Sequence, residues 1–370
     1  MSDESDSPLT GFTSLLGDVT VVELDGEFCP YAGRLLVDLG AKVTRVRRAE
    51  CGHDVWWPLH RGKAEFVVDP ERPADRRRLL EVIDDCDVLV QSAGPDERDW
   101  LGIEPTVVHE SRPRMIHAVL TPYGLYGPNA GFPSTELTRL AAGGLLWLGG
   151  YPDAEPVAPY GDQSAQSTAI FGVVAILLML IERSRTGAGG LIEVSAQEAM
   201  TQALETSLSE FELTGAVRHR AGSAPREAGT GIYPCADGFV SMVAGRLGTA
   251  RAWGQLREWL IETATPGADQ LRAPSWDTLE FRQRPDSIKR FEEIFTAFTR
   301  TRTKQHLYLE AQHRNIALAP VNAPREVLAD PQLTARAAFV GATDPLNGKP
   351  VKVPRSPFRI RLAGDEAAAK

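Results

Sequence analysis

The stretch VTVVELDGEFCPYAGRLLVDLGAKVTRVRR, residues 19–48, decides the fold class. Val19–Leu24 is a β-branched apolar run and reads as a strand. Tyr31–Leu39 carries apolar residues at helical spacing and is stopped by Gly40. Val43–Val46 is a second short strand. Strand, helix and strand on short connections belong to a parallel sheet. The pattern continues through Phe66–Val68, a helix over Ala74–Ile83, Val88–Val90, a helical stretch around Val107–Glu110 and a strand over Met115–Leu120. Gln163–Arg183 is a long apolar helix that ends at Thr186-Gly187-Ala188-Gly189-Gly190. A strand, Leu191–Ser195, and a helix, Ala196–Leu213, follow. This is an α/β fold, a Rossmann-like parallel sheet, and ligands in such sheets bind beyond the carboxyl ends of the strands.

Arg218–Thr230 is rich in Gly, Ala, Pro and Arg and marks a boundary. Beyond it the composition changes to that of a smaller α+β domain. Gly231–Ala244 reads as a hairpin turning at Ala236-Asp237-Gly238, followed by helices near Trp253–Ile261, Ser287–Arg300 and Lys304–His313. From Pro320 the chain is Pro-rich and is expected to return to the first domain. The expected organisation is a disordered tail over 1–10, a large domain from 11–217 with 320–370, and a small domain over 218–319. The Ala-rich end after Leu362 also reads as disordered.

The chain has 370 residues, 43% hydrophobic and 24% charged, an ordinary globular composition able to bury a large core. Lys+Arg 40 against Asp+Glu 49 gives −9, which argues against a nucleic-acid binder but allows a local basic pocket. Four scattered cysteines with no C-x-x-C pair exclude a disulfide scaffold and a zinc finger. His306 and His313 lie seven apart on a surface helix, so no metal site is expected. The acidic start MSDESDSPLT is no signal peptide, and the longest apolar run, Ala169–Ile181, has 13 residues, too short to span a bilayer. A cytoplasmic protein without membrane attachment is expected.

The first strand is followed by Asp25-Gly26-Glu27-Phe28-Cys29-Pro30 rather than G-x-G-x-x-G, which disfavours a dinucleotide-dependent oxidoreductase. A basic cluster follows instead: Arg45, Arg47 and Arg48, then Arg61 and Lys63 around Gly62. Arg45 and Arg47 alternate along a strand and share a face. The cluster suits phosphate recognition, or equally a solvated, ion-paired surface. His60 reads either as a ligand donor or as a structural histidine. Asp162 immediately precedes the long helix, where the helix N-terminus favours an anion. It reads as an N-cap for the Ser164 or Ala165 N–H, or as a nucleophile, and spacing alone favours the cap. Trp56, Trp57 and Trp147 suit either an apolar acyl pocket or the core.

These segments together resemble the family III CoA transferases, the superfamily of formyl-CoA and carnitine CoA transferases and methylacyl-CoA racemases. The resemblance runs from about Leu16 to Leu362. It rests on the run Cys29-Pro30-Tyr31-Ala32-Gly33-Arg34 through Ala41, on His60-Arg61-Gly62-Lys63, and on Tyr123-Gly124-Leu125-Tyr126-Gly127-Pro128. It rests also on Arg185-Thr186-Gly187-Ala188-Gly189 with Glu193-Val194-Ser195, on Pro320-Val321-Asn322, and on Glu326 through Leu333. It implies an interlocked dimer and a site for coenzyme A, with Cys29, Pro30, Tyr31, Arg45, Arg47, Arg61 and Lys63 at positions that hold CoA, and Glu136 added to that set. It implies a reaction between an acyl-CoA thioester and an organic acid, in which an aspartate carboxylate forms an acyl anhydride.

The sequence departs from the family at several positions. Counting back from Thr186, the nucleophile position falls on Ala165. Asp162 is one turn earlier, about 4.5 Å along the axis. The racemase histidine position falls near Thr135, Arg47 replaces a glutamate, and Ser92-Ala93-Gly94-Pro95 has lost an arginine. A transferase with Asp162 as nucleophile is therefore the first expectation. The alternatives are a CoA-binding, non-catalytic subunit of a hetero-oligomer, and a related isomerase or lyase using Glu136.

Overall fold

A computed structural model describes residues 15–48, 57–93, 111–222, 225–244 and 250–360. The expected tails, the helical stretch around Val107–Glu110, Cys51, Trp56 and Gly94-Pro95 lie outside the described residues. The chain divides into two compact units, one from the residues up to Arg220 together with those from Gln332, the other from Ala221–Pro331.

The first unit begins β1 (Thr20–Leu24), α1 (Cys29–Asp38), β2 (Lys42–Arg48), β3 (Ala64–Val68), α2 (Pro73–Asp84), β4 (Val88–Ser92) and β5 (Ile116–Thr121). It continues α3 (Glu136–Ala142), α4 (Leu145–Leu148), α5 (Gln163–Thr186), β6 (Gly190–Ser195), α6 (Ala196–Gln202) and α7 (Glu205–Thr214). The six strands pair in the order β3-β2-β1-β4-β5-β6, all parallel. The order reverses between β1 and β4, the topological switch point of a doubly wound sheet.

Alternation along the strands sorts side chains onto two faces. Val21, Val43, Val88, Val90 and Ala118 pack with Ala32 and Leu36 of α1 and Ala169, Val173 and Ile176 of α5. Val22, Leu24, Val46 and Leu89 point the other way, against Leu79 and Ile83 of α2. Glu23 is two residues from Val21 and so shares the α1 face. Its register partner on β2 is Arg45.

Helix α5 is 24 residues long, and its most apolar window has a mean hydropathy of 2.1, enough by length and composition to cross a bilayer. The uninterrupted run Ala169–Ile181 underestimates it, because Ser164, Ser167 and Thr168 break the apolar run without breaking the helix. One face lies on β5, β6 and α1. The opposite face leaves Ile170, Phe171, Val174, Leu178 and Ile181 exposed.

The expected single helix Ala196–Leu213 is two, α6 and α7, parted at Ala203-Leu204. Leu204 is buried, and its side chain fills the space beside Gly144 that a Cβ there would need. That packing turns the chain where propensity alone would continue the helix.

The second unit contains β7 (Thr230–Cys235), β8 (Gly238–Val243), α8 (Ala250–Glu262), α9 (Leu279–Arg282), α10 (Pro285–Thr299), α11 (Lys304–His313), β9 (Ala317–Pro320) and α12 (Pro324–Ala329). β7 and β8 form the expected hairpin, and β9 adds a third antiparallel strand to β8. Trp253, Trp259, Trp276, Phe291, Phe295 and Phe298 fill its core. The chain stays with this unit through Pro331, beyond the Pro320 at which the sequence places the return. It continues as α13 (Pro331–Ala335) and a hairpin of β10 (Phe339–Thr343) and β11 (Pro350–Pro354).

Candidate active site

A cavity of about 510 Å³ opens at the carboxyl end of β1. Asp25, Gly26 and Glu27 from the turn after β1 line it, with Pro30 and Tyr31 of α1, Arg45 of β2, Leu59 and His60 from the turn before β3, and Asp162, Ala165 and Gln166 at the start of α5. Its volume suits a small-molecule site.

Asp162 occupies the N-cap position of α5, yet its side chain makes no capping hydrogen bond. The N–H of Ser164 donates instead to Oε1 of Glu136 at 2.8 Å, and the Ser164 hydroxyl donates to Oε2 of the same carboxylate. The expected Asp162 cap is thus replaced by a carboxylate from α3, and Asp162 faces the cavity unspent. Ala165, where the ungapped count puts the nucleophile, lines the same cavity one turn on.

Arg139 holds this arrangement and was not singled out from sequence. It is fully buried, donates from Nε to Ser164 Oγ at 2.8 Å and from Nη1 to Ser134 Oγ at 2.9 Å, and forks onto both oxygens of Glu27. Its guanidinium lies 5.0 Å from the centre of the Phe28 ring and contacts Glu136 at 3.4 Å. An arginine on a short helix reads from sequence as solvent-facing, and nothing local marks its partners, which are as far as 112 positions away.

The expected CoA residues divide. Pro30, Tyr31 and Arg45 line the cavity, with Arg45 paired to Asp25 at 3.2 Å. Cys29 is fully buried in the sheet core, at the start of α1. Arg47 reaches across to Glu65 of β3 at 2.9 Å. Arg61 offers its carbonyl oxygen to Nη1 of Arg34 at 2.7 Å, and Arg34 is itself paired with Asp38. That clamp seats the Arg61-Gly62-Lys63 turn on α1. Gly62 has φ +79°, and a Cβ there would lie 2.9 Å from Val37. Glu136 serves as the cap of α5. Trp57 and Trp147 are outside the lining. Trp147 packs against His219 and beneath Arg220.

Lys63 is placed differently from a surface phosphate ligand. Its ammonium donates to Glu23 Oε2 at 2.6 Å and to the Pro30 carbonyl at 2.9 Å, and both charged side chains are 1% exposed. Burial pushes the Glu23 carboxyl up and the Lys63 amine down, and each charge offsets that cost for the other. Gly33 of α1 makes room for the pair, since a Cβ there would fall 1.7 Å from Glu23 Oε2. His60 sits beside it, with Nδ1 3.5 Å from Lys63 Nζ and 3.8 Å from Glu23 Oε1.

The model of CoA-transferase family III matches residues 16–368. The chain is 29% identical over 358 residues to succinyl-CoA:(R)-benzylsuccinate CoA-transferase subunit BbsE of Thauera aromatica, covering 92% of this chain and 87% of the relative. It is 28% identical over 358 residues to succinyl-CoA–D-citramalate CoA-transferase of Chloroflexus aurantiacus, covering 89% and 84%. Among solved structures, a CAIB/BAIF family protein from Brucella suis superposes with a TM-score of 0.80 at 25% identity, over 94% of this chain and 93% of that one.

Proposed function

The chain belongs to CoA-transferase family III and is an enzyme that transfers CoA, and from that premise we propose that it does so through an acyl anhydride on Asp162. The observation that carries this reading is the uncapped Asp162 at the cavity wall, released from structural duty by Glu136. Its carboxylate attacks the thioester carbonyl and expels CoA thiolate. The acceptor acid then attacks the aspartyl carbonyl of the anhydride and expels the donor acid as its carboxylate, and the returning thiolate attacks the acceptor's carbonyl, which closes the new thioester and releases the Asp162 carboxylate. Pro30, Tyr31 and Arg45 contact the thioester arm, and two relatives' names support succinyl-CoA as the donor. Incubation with succinyl-CoA and then hydroxylamine is expected to leave a hydroxamate on Asp162, read by intact mass and peptide mapping. An unmodified Asp162 in a preparation that turns over would overturn the mechanism.

A second reading is a non-catalytic subunit in a mixed oligomer, favoured by the word subunit in the name of BbsE. Co-purification with a homologous chain, and activity only in that complex, would favour it.

We also propose that two copies form the interlocked dimer the resemblance implies, covering the exposed Ile170, Phe171, Val174, Leu178 and Ile181 face of α5. Sedimentation is expected to give a dimer, and Leu178→Glu with Ile181→Glu a monomer. A wild-type monomer would remove this proposal.

A further inference from the structure

Arg139 is a permanent cation with N–H donors and no acceptor, and none of it reaches solvent. Replacing a buried ion pair by packed apolar groups is commonly neutral or stabilising, so stability alone does not account for a charge in this place. What the charge does is join two segments of the cavity wall. The first is the turn between β1 and α1. Nη1 donates to Glu27 Oε2 at 3.0 Å, Nη2 donates to Oε1 of the same carboxylate, and the guanidinium lies 5.0 Å from the centre of the next side chain, the Phe28 ring. The second segment is the start of α5, where Nε donates to Ser164 Oγ at 2.8 Å. Ser164 is fully buried, and its N–H and hydroxyl both donate to Glu136, which Arg139 contacts at 3.4 Å. Asp162 belongs to that same turn, since its carbonyl oxygen accepts the Gln166 N–H at 3.0 Å. Asp25, Gly26 and Glu27 of the first segment and Asp162, Ala165 and Gln166 of the second all line the cavity.

We propose that Arg139 is a positioning residue for CoA transfer, a buried strut that fixes the Asp162-bearing turn of α5 against the β1–α1 turn and so sets the approach of the Asp162 carboxylate to the thioester. The inference rests on the anhydride reading above. Arg139 is not among the residues that line the cavity, so it acts through Ser164 and Glu27 rather than on the reacting atoms. A nucleophile misplaced by about 1 Å loses about 10²-fold in rate, which is the scale of effect a strut controls. A guanidinium suits this task because its planar fork fixes direction as well as distance, whereas an ammonium is a point charge.

Arg139→Met and Arg139→Lys, assayed with succinyl-CoA, test this. Arg139→Met leaves Glu27 and Glu136 without their cation and is expected to lower the melting temperature. Arg139→Lys keeps the charge and is expected to recover most of that loss. Neither variant has the fork, so both are expected to lower kcat about 10²-fold with KM within about threefold of wild type. Should Arg139→Met fail to fold, Arg139→Lys carries the test by itself. Recovery of kcat in Arg139→Lys along with its melting temperature would overturn the proposal, because a role in folding alone moves the two together. Independently, hydrogen exchange read by mass spectrometry on Arg139→Lys is expected to quicken about tenfold at the first-turn amides 164–166, with exchange over 173–183 of the same helix unchanged. Wild-type exchange at 164–166 would overturn the strut. Exchange needs no turnover, so its failure is distinguishable from failure of Asp162 as nucleophile, which a missing hydroxamate reports.

Discussion

Replacing Asp162 by Ala or Asn is expected to lower turnover by on the order of 10³-fold or more while leaving the fold intact. Each tenfold loss corresponds to about 1.4 kcal/mol of barrier, so the expected loss is about 4 kcal/mol or more. The two roles that sequence allows this residue predict opposite outcomes. A capping aspartate changed to Ala costs about 1 kcal/mol of stability and touches activity only through folding. A nucleophile loses nearly all turnover, and here little stability, because the Ser164 N–H is already bonded to Glu136. The melting temperature of Asp162→Asn is therefore expected to match wild type, with surface-like changes of about 0.5 kcal/mol at most. Retained turnover with lowered stability would return Asp162 to the cap role and leave the anhydride without a residue.

The largest effect on stability is expected at Lys63. Lys63→Met removes a cation and leaves Glu23, 1% exposed, without its ion-pair partner. Breaking one side of a buried pair costs about 3–5 kcal/mol, whereas replacing both sides by apolar groups of similar size is near neutral. Lys63→Met is accordingly expected to shift the urea midpoint far more than Glu23→Leu with Lys63→Met together. Gly33→Ala pushes a methyl group onto Glu23 Oε2 and is expected to destabilise by about 1–3 kcal/mol. Because the methyl group acts through Glu23, its effect should not add to that of Lys63→Met. A Lys63→Met protein as stable as wild type would show that the pair is not held as described.

The architecture of the first unit was legible because its signals are local. β-branched runs at short intervals, Gly40 after α1 and the glycines after Thr186 each mark a boundary within a few residues. Nothing local marks β9, because Ala317–Pro320 is four residues long and gains its meaning only by pairing with Val240–Val243. The candidate site was legible only in part: Asp162, His60, Arg45, Pro30 and Tyr31 line one cavity, and the other expected residues do not. What sequence did not show is which charges are spent. Arg47, Lys63 and Glu136 look alike in a sequence, as exposed charged residues. Their fates are decided by Glu65 on the next strand, Glu23 beneath α1 and the Ser164 N–H. Those partners lie 18 to 40 positions away, beyond the reach of any periodicity.

Sealing α5 from outside has an evolutionary corollary. A helix whose first turn depends on its own aspartate can move that acid only by fraying. Here Glu136, itself held by Arg139, accepts from the Ser164 N–H of that turn from a neighbouring helix, so position 162 is free to vary without removing that bond. A reactive carboxylate can migrate by one turn between descendants of a common ancestor, and column-by-column inheritance of its position is then a poor guide to whether the chemistry survives.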